Sequence, residues 1–563
     1  MVYVYVKKSK LDKYIGSSLS LDEIEETLKD LGMDIKGISE EDDPEIKVEV
    51  TAEKLELVSA VGLGRAIKYY RGLERDIKKY EIKRGDNVLT IKKNAKESRP
   101  KAVAAILRDV NLDEDFLKEM IAIQEKIHES HGRNRKKAAI GIYPMDKFEF
   151  PLTYGSENPE NIRYIPLESD EVMNGYEILE KHPTGKKYKH LLEKYEKYPV
   201  FRDKNGKILS MPPIVNSNET GKVELHHKDL FIECSGYNLK HLDNIMKVLV
   251  TTFIDMGAKA ESVKVVYEDT NEVYELNLDM YKETINLDFI NKLIGLNLDI
   301  NDVEKYFNKM IYEVEEIKGK DITVKIPPFR SDIWSDVDIA DDIARAYGYN
   351  NIELRFPNIS SVGSKLDFSY FKDSIIDLLT NLGFLQIYSF ILTSTENQFR
   401  RVYLNEEDFD YIRLNNTEDE GINMCRINLF PESLLALSYN KRHKYPQKIF
   451  ESGFVIIPDV SKDTKARDDF RLAVSIVDNK SNYTEIKGIL DFLMKSLNIK
   501  SEVRVSNLSY LIDGRQGEIF IENEKIGFIG EVHPKILKNY NLLVPVSMFE
   551  IDLEKIYDIV NKD

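Results

Sequence analysis

The chain of 563 residues has only two cysteines and one tryptophan. Cys234 and Cys425 lie far apart, and neither sits in a CxxC or Cys/His pattern. A disulfide scaffold and a thiolate zinc site are therefore not expected. Long apolar runs are also missing. A membrane-spanning helix needs about 18 or more consecutive apolar residues, and the best stretch, 245–254, is broken by Lys247. The N-terminus, MVYVYVKKSKLDKY, alternates like a strand and lacks the apolar block of a secretory signal. No membrane association and a cytoplasmic location are expected. Positive charge is in deficit, with 80 Lys and Arg against 97 Asp and Glu and a net charge of −17. That argues against gripping nucleic acid by bulk electrostatics. Local basic patches stay available at 133–137 (RNRKK) and 181–189 (KHPTGKKYK), each of which reads equally well as a solvated loop.

What is present is ordinary globular material, 42% hydrophobic and 31% charged, enough for roughly three to five domains at about 150 residues each. The pattern is α+β and multidomain. Residues 1–85 read as an α/β unit, with a Ser20–Glu23 capping box opening a helix that stops at Gly32. The Lys-rich stretch from Tyr80 to Lys101 reads as an exposed connection. From 96 to 265, the strand candidates KAVAAILRDV, KAAIGIYPM and KDLFIECSG mix with the helices FLKEMIAIQEKIHESH and KHLDNIMKVLVTTFIDMG. In the middle of this unit MPPIVNSNETG, residues 211–221, is dense in turn-formers and reads as a functional loop. Residues 274–352 form a compact unit ending in an acidic helix. From 358 to 563 helix and strand alternate, with a hairpin turning at Glu522–Glu524.

The most concentrated signal is IPPFRSDIWSDVDIADDIARAYGYNN, residues 326–351. Ser335 is placed to cap a helix from Asp336, with Val337, Ala340, Ala344 and Tyr347 as its apolar stripe. Asp338, Asp341 and Asp342 stand at i, i+3 and i+4 on one face, and Asp332 lies just upstream. Converging carboxylates suit a hard cation such as Mg²⁺. Acids early in a helix also simply complement its dipole, and both readings stand on these residues alone.

The same segment resembles a small DNA-binding-like domain in the beta subunits of phenylalanine–tRNA ligases of the archaeal and eukaryotic type. The match rests on a proline pair, Arg330, Asp332, the acidic helix and Tyr347-Gly348-Tyr349. The resemblance runs along nearly the whole chain. IQEKIHESHGRNRKKAAIGIYPMD, MPPIVNSNETGKV and KDLFIECSG are similar to the family's editing domain (96–265). NLGFLQIYSF, RINLFPESLLALSYN, KIFESGFV and GFIGEVHPKILKNYNLLVPVSMFEIDL are similar to its catalytic-like module (358–563). Where the family has Asn-Arg-Pro-Asp, this chain carries Ala52-Glu53-Lys54-Leu55.

The resemblance implies Mg²⁺ on Asp332, Asp338, Asp341 and Asp342. It implies an alpha subunit as partner in a heterotetramer of two alpha and two beta chains, and tRNA(Phe) as the nucleic acid. It also implies a class II synthetase-like sheet that lacks the chemistry. KIFESGFVI and the hairpin near Gly527 carry no arginine to clamp a phosphate, so no catalytic residue for aminoacylation is expected here. An editing pocket is expected at Asn216, Ser217, Asn218 and Glu233, because these polar groups suit recognition of the hydroxyl that separates tyrosine from phenylalanine. A free-standing editing hydrolase or tRNA-binding factor is the alternative. A magnesium-dependent diphosphate enzyme would need an all-helical cavity and a second aspartate-rich helix, which this strand-rich chain does not offer.

Overall fold

The computed structural model describes residues 2–561 apart from 416, 418 and 420. It divides into two compact units, Met1–Phe356 and Pro357–Asp563. No helix among the described residues is long and apolar enough to cross a membrane.

In the first unit the N-terminal alternation becomes strand Val2–Lys7, which pairs antiparallel with Glu45–Val50. Val2, Val4 and Val6 face the core while Tyr3 and Tyr5 face out. Helix Leu21–Asp30 opens on the Ser20–Glu23 capping box, where each residue's side chain takes the other's backbone N–H. Gly32 follows the helix at φ +82°, a conformation glycine adopts without strain.

Two larger sheets carry the middle of this unit. The five-stranded one runs Ile82–Lys83, Lys259–Ser262, Lys101–Arg108, Leu230–Gly236, Ala138–Pro144. Its central strands are near-continuous apolar runs because helices cover one face and the seven-stranded sheet's core covers the other. Helix Leu239–Asp255 packs on Lys101–Arg108 and Leu230–Gly236, and helix Glu114–Glu129 lies against Ala138–Pro144.

The stretch Tyr80–Lys101 is not an exposed connection. It supplies strand Val88–Ile91, which pairs parallel with both Leu152–Glu157 and Lys264–Tyr267 inside the seven-stranded sheet. Leu89, Ile91 and Arg99 are buried. Four strand residues between lysine-rich flanks are too few to show a period, so composition hid the element.

The 281–347 region is a three-stranded sheet, Tyr281–Asn286, Asp321–Ile326 and Glu313–Lys318 in spatial order, with helices Leu287–Ile294, Ile300–Lys309 and Asp336–Tyr347. Ile339, Ala340, Ile343 and Ala344 of the last helix are buried, whereas Val337 is exposed and does not join the apolar stripe.

The second unit is built on a seven-stranded sheet that is antiparallel except at the edge pair Leu385–Gln386 and Gln447–Pro458. Its hairpin joins Leu511–Ile521 to Glu524–Val532 through Glu522 and Asn523, both at positive φ, as a two-residue turn requires.

Candidate functional site

A cavity of about 850 Å³ opens beside the 211–221 loop in the first unit. One wall is helix Glu114–Glu129 with Gln124, Glu125 and His128. The other is strand Ala138–Pro144, Glu233 and the loop residues Pro212 to Asn216. The size is in the range of small-molecule binding pockets.

At one end sits a closed polar group. The Tyr143 hydroxyl lies 2.8 Å from Ser210 Oγ, 3.2 Å from Glu233 Oε1 and 3.3 Å from Asn216 Oδ1. Gly141 faces Glu233 across the strand pair, and a Cβ there would collide with both the Tyr143 hydroxyl and the Glu233 carboxyl. Glu233 Oε2 is buried without a protein partner. Burial pushes the Glu233 carboxyl up to about 8, against the opposing pull of the Tyr143 hydrogen bond and the Arg99 charge. It therefore holds its proton at neutral pH and offers both a donor and an acceptor to the cavity.

A folded-state pKa above the unfolded one contributes stability fully present below about 4.5 and lost as pH rises through about 8. Glu233→Gln removes that loss. The variant is expected to match the parent chain at pH 4 and to exceed it by about a few kcal/mol at pH 9. Denaturant midpoints at the two pH values check this, and equal differences at both would contradict it.

The four residues expected in the pocket divide. Asn216, Asn218 and Glu233 line the cavity. Ser217 does not: it is buried, and its Oγ accepts the Glu219 N–H 3.3 Å away to start the short helix Asn218–Gly221.

Sequence reasoning missed the opposite wall. His128 Nε2 accepts the Ile140 N–H at 2.8 Å, so Nδ1 carries the proton toward Glu125 Oε1, 3.1 Å away. That hydrogen bond, with the Arg135 charge, outweighs burial and holds Glu125 at about 2. Burial pushes His128 down. Both its ring nitrogens are committed, which disqualifies it as a proton acceptor. His182 differs. Its Nε2 donates to the Leu167 carbonyl at 3.0 Å and its Nδ1 is buried and unpartnered, while the residue as a whole contributes to the cavity lining.

The two basic segments meet at this rim. Arg133, Asn134 and Arg135 are three consecutive residues at positive φ, a strained run that swings Arg135 over the Tyr188 ring, 4.7 Å from its centroid. Arg133, Lys136, Lys137, Lys186 and Lys187 remain exposed around it. A signal existed in the spacing of basic residues, but nothing local said that segments about 50 residues apart would adjoin.

The acidic helix is organised differently from a cation site. Arg330 clamps Asp332 through two hydrogen bonds of 2.9 and 2.8 Å and also pairs with Asp342. Lys54 Nζ reaches both acids, at 2.6 Å from Asp332 and 3.5 Å from Asp342. Tyr312 donates to Asp342 at 2.6 Å. The carboxylates are nearly sealed, with side-chain exposures of 5% and 2%. Burial raises Asp332, but Arg330 and Lys54 outweigh it and hold the carboxyl below its usual range.

Asp338 accepts the Trp334 and Ser335 backbone N–H groups, both at 2.8 Å, and serves the helix start. Asp341 pairs with Arg345 and accepts from Tyr349. The four expected magnesium ligands thus do not converge. Two are neutralised by internal cations, one caps the helix and one is paired along it. This arrangement does not fit a Mg²⁺ site made by this chain.

Comparison with known proteins decides the family. The phenylalanyl tRNA synthetase beta chain CLM domain matches residues 352–553, and the tRNA synthetase B5 domain matches residues 283–349. The phenylalanine–tRNA ligase beta subunit of Pyrococcus horikoshii is 37% identical over 556 residues, 98% of this chain and 99% of the relative. The chain belongs to the phenylalanine–tRNA ligase beta-subunit family. The Archaeoglobus fulgidus beta subunit is 32% identical over 550 residues, covering 98% of this chain and 97% of that one. Among solved structures, an N-terminal fragment of the Pyrococcus horikoshii beta subunit aligns at a TM-score of 0.59 with 36% identity, covering 62% of this chain and 99% of the fragment.

Within this ligase beta subunit, the sheet of the second unit does carry arginines near the positions where sequence reading found none. Arg426 enters from a neighbouring segment and pairs with Glu451 of strand Gln447–Pro458 at 2.6 Å, with side-chain exposures of 3% and 1%. Arg471 pairs with Glu550 at 3.2 Å. Strand Leu511–Ile521 reaches further back than expected and includes Arg515, which pairs with Glu531 of the other hairpin strand at 2.8 Å. Each of these guanidinium groups has a carboxylate partner, and the Arg515 side chain stays 60% exposed.

Proposed function

We propose that this ligase subunit works in the cytoplasm beside an alpha subunit, in a heterotetramer of two alpha and two beta chains that charges tRNA(Phe) with phenylalanine at the expense of ATP. The synthetic site lies on the alpha subunit. The cavity of the beta chain hydrolyses tyrosine wrongly attached to tRNA(Phe). The observation that carries this reading is Glu233: a buried, protonated carboxyl with an unpartnered oxygen, lining a cavity large enough to admit an aminoacyl group.

The chemistry follows from what distinguishes the two substrates. An apolar pocket separates tyrosine from phenylalanine by only about 100-fold, whereas a site built to hydrogen-bond the hydroxyl reaches ~10⁴ or more. Glu233 and Asn216 present such partners. A phenylalanyl ring entering the same space would leave the Glu233 oxygen unsatisfied, which penalises the correct product and spares it from hydrolysis. The exposed basic residues at 133–137 and 186–187 receive the phosphates of the acceptor end and position the ester over the cavity.

In the second unit, exposed Leu385, Tyr388, Phe390 and Leu392 concentrate beside the sheet's edge strand and form the apolar ground for alpha-subunit contact. Magnesium enters no step assigned to this chain, since its acids are otherwise engaged.

Charging assays test the division of labour. This chain alone is expected to give no phenylalanyl-tRNA, and addition of an alpha subunit from the same source is expected to restore charging. Activity of the chain alone would place the synthetic site here. Silence of the mixture would favour the free-standing editing factor.

A further inference from the structure

Strands Ala138–Pro144 and Leu230–Gly236 pair antiparallel, with Pro144 opposite Leu230. The chain leaves the first strand through Asp146 and approaches the second through His226 and His227. The three side chains meet at one sheet end, with ligand-capable atoms all within 4.8 Å of one another. His227 is the informative member. Its side chain is 2% exposed, its Nε2 has no hydrogen-bond partner, and that nitrogen lies 3.6 Å from Asp146 Oδ1, beyond hydrogen-bond distance. A buried ring nitrogen aimed at a carboxylate across such a gap calls for something between them.

The spacing suits an ion. Nitrogen and oxygen ligands bound at about 2.0–2.2 Å in a tetrahedron lie about 3.4 Å apart. His227 Nδ1 accepts the Glu224 N–H at 2.9 Å, which leaves the ring proton on Nε2; an ion bound at Nε2 displaces that proton, and Nδ1 can then hold one toward the Glu224 carbonyl 3.0 Å away. The His226 ring packs against His227 with centroids 4.0 Å apart and is exposed, free to turn its second nitrogen toward the same point. Glu224 also brings its carboxylate to 3.9 Å from His226 Nδ1.

We propose that Asp146, His226 and His227 bind one divalent transition-metal ion of the zinc class, with a fourth position open to water. Two imidazoles and a carboxylate select zinc, cobalt or nickel over magnesium and calcium. The ion ties the turn at 145–147 to the segment that begins at Lys222 and Val223, which line the cavity. It braces the pocket without entering it, so its absence would leave the editing reading standing.

The test is cobalt titration of the untagged full chain after chelator treatment, followed by zinc competition. One equivalent of Co²⁺ is expected to give the intense visible bands of four-coordinate cobalt, and one equivalent of Zn²⁺ to bleach them. His227→Gln and Asp146→Asn should each weaken binding by about tenfold or more. Asp146 is exposed, so its variant tests the ligand without disturbing the core. His190→Gln, at an exposed histidine outside the cluster, should bind as the parent does. Absence of the bands from the parent chain, or an unchanged spectrum and affinity in His227→Gln, overturns the assignment.

Discussion

Replacing Glu233 with alanine is expected to slow hydrolysis of tyrosyl-tRNA(Phe) about 100- to 1000-fold, while phenylalanine charging by the assembled ligase stays as it was. The size follows from what the side chain does. Removing one pre-positioned hydrogen-bonding group from a water-poor site costs about that much in rate, and about 1.4 kcal/mol corresponds to each tenfold step. Glu233 is buried, its outer oxygen has no protein partner, and Tyr143 and Gly141 fix its position. Alanine would leave a hole where the tyrosyl hydroxyl needs a partner. Glutamine keeps a donor and an acceptor, so Glu233→Gln should lose far less.

Since burial holds the carboxyl near about 8, the parent rate should change as pH passes that value, and the glutamine variant should show no such inflection. Deacylation of preformed tyrosyl- and phenylalanyl-tRNA measures both effects. Alanine activity within about threefold of the parent would remove Glu233 from tyrosine recognition.

The parts of this molecule readable from sequence are those whose pattern is local. The strands at 101–108, 138–144 and 230–236 are apolar runs flanked by turn residues, and the helices from 114 and 239 keep a 3.6-residue period. Ser20–Glu23 and the Glu522–Asn523 turn carry their chemistry in adjacent residues. The 211–221 segment reads as a loop because turn-formers and small polar groups cluster there, and Asn216, Asn218 and Glu233 line one cavity.

Less local features did not show. Val88–Ile91 is buried by strands from both sides of the chain, although its flanks are lysines. Ser217 has the right chemistry for a pocket but points into a helix start, because register along a tight loop alternates which residues face the cavity. Arg135, His128 and His182 reach that cavity from separate segments. Asp338, Asp341 and Asp342 share a helix face on paper with Asp332 just upstream, yet Asp332 and Asp342 are partnered by Arg330 and by Lys54, which is 278 positions from Asp332. Spacing along one helix reports which side chains are neighbours, not which cation already sits among them.

That last arrangement supports the largest stability effect expected in the chain. Lys54→Met should destabilise the first unit by about 3–5 kcal/mol, the usual consequence of leaving buried charge unpaired. Lys54, Arg330, Asp332 and Asp342 are nearly sealed from solvent, and Glu56 lies with them, its carboxyl raised to about 7 by burial and by the Asp332 charge. Two cations balance the two aspartates. Removing one leaves Arg330 to serve both, in surroundings where water cannot compensate. The methionine is close in length to lysine, so the effect reports charge rather than a cavity.

A double replacement separates the two causes. Asp332→Asn alone should destabilise by leaving Lys54 in excess, whereas Lys54→Met with Asp332→Asn restores the balance and should recover part of the loss, a coupling that two independent packing defects would not show. Denaturant unfolding of the full chain, followed by hydrogen exchange in helix Asp336–Tyr347, measures both. The same cluster bears on magnesium. If Lys54 occupies the cationic position between Asp332 and Asp342, added Mg²⁺ should leave the parent chain's unfolding midpoint unchanged and should stabilise Lys54→Met, where the position has been vacated. A parent chain stabilised by Mg²⁺ as strongly as the variant would show that the ammonium and the metal do not compete, and the charge-balance account of this helix would fail with it.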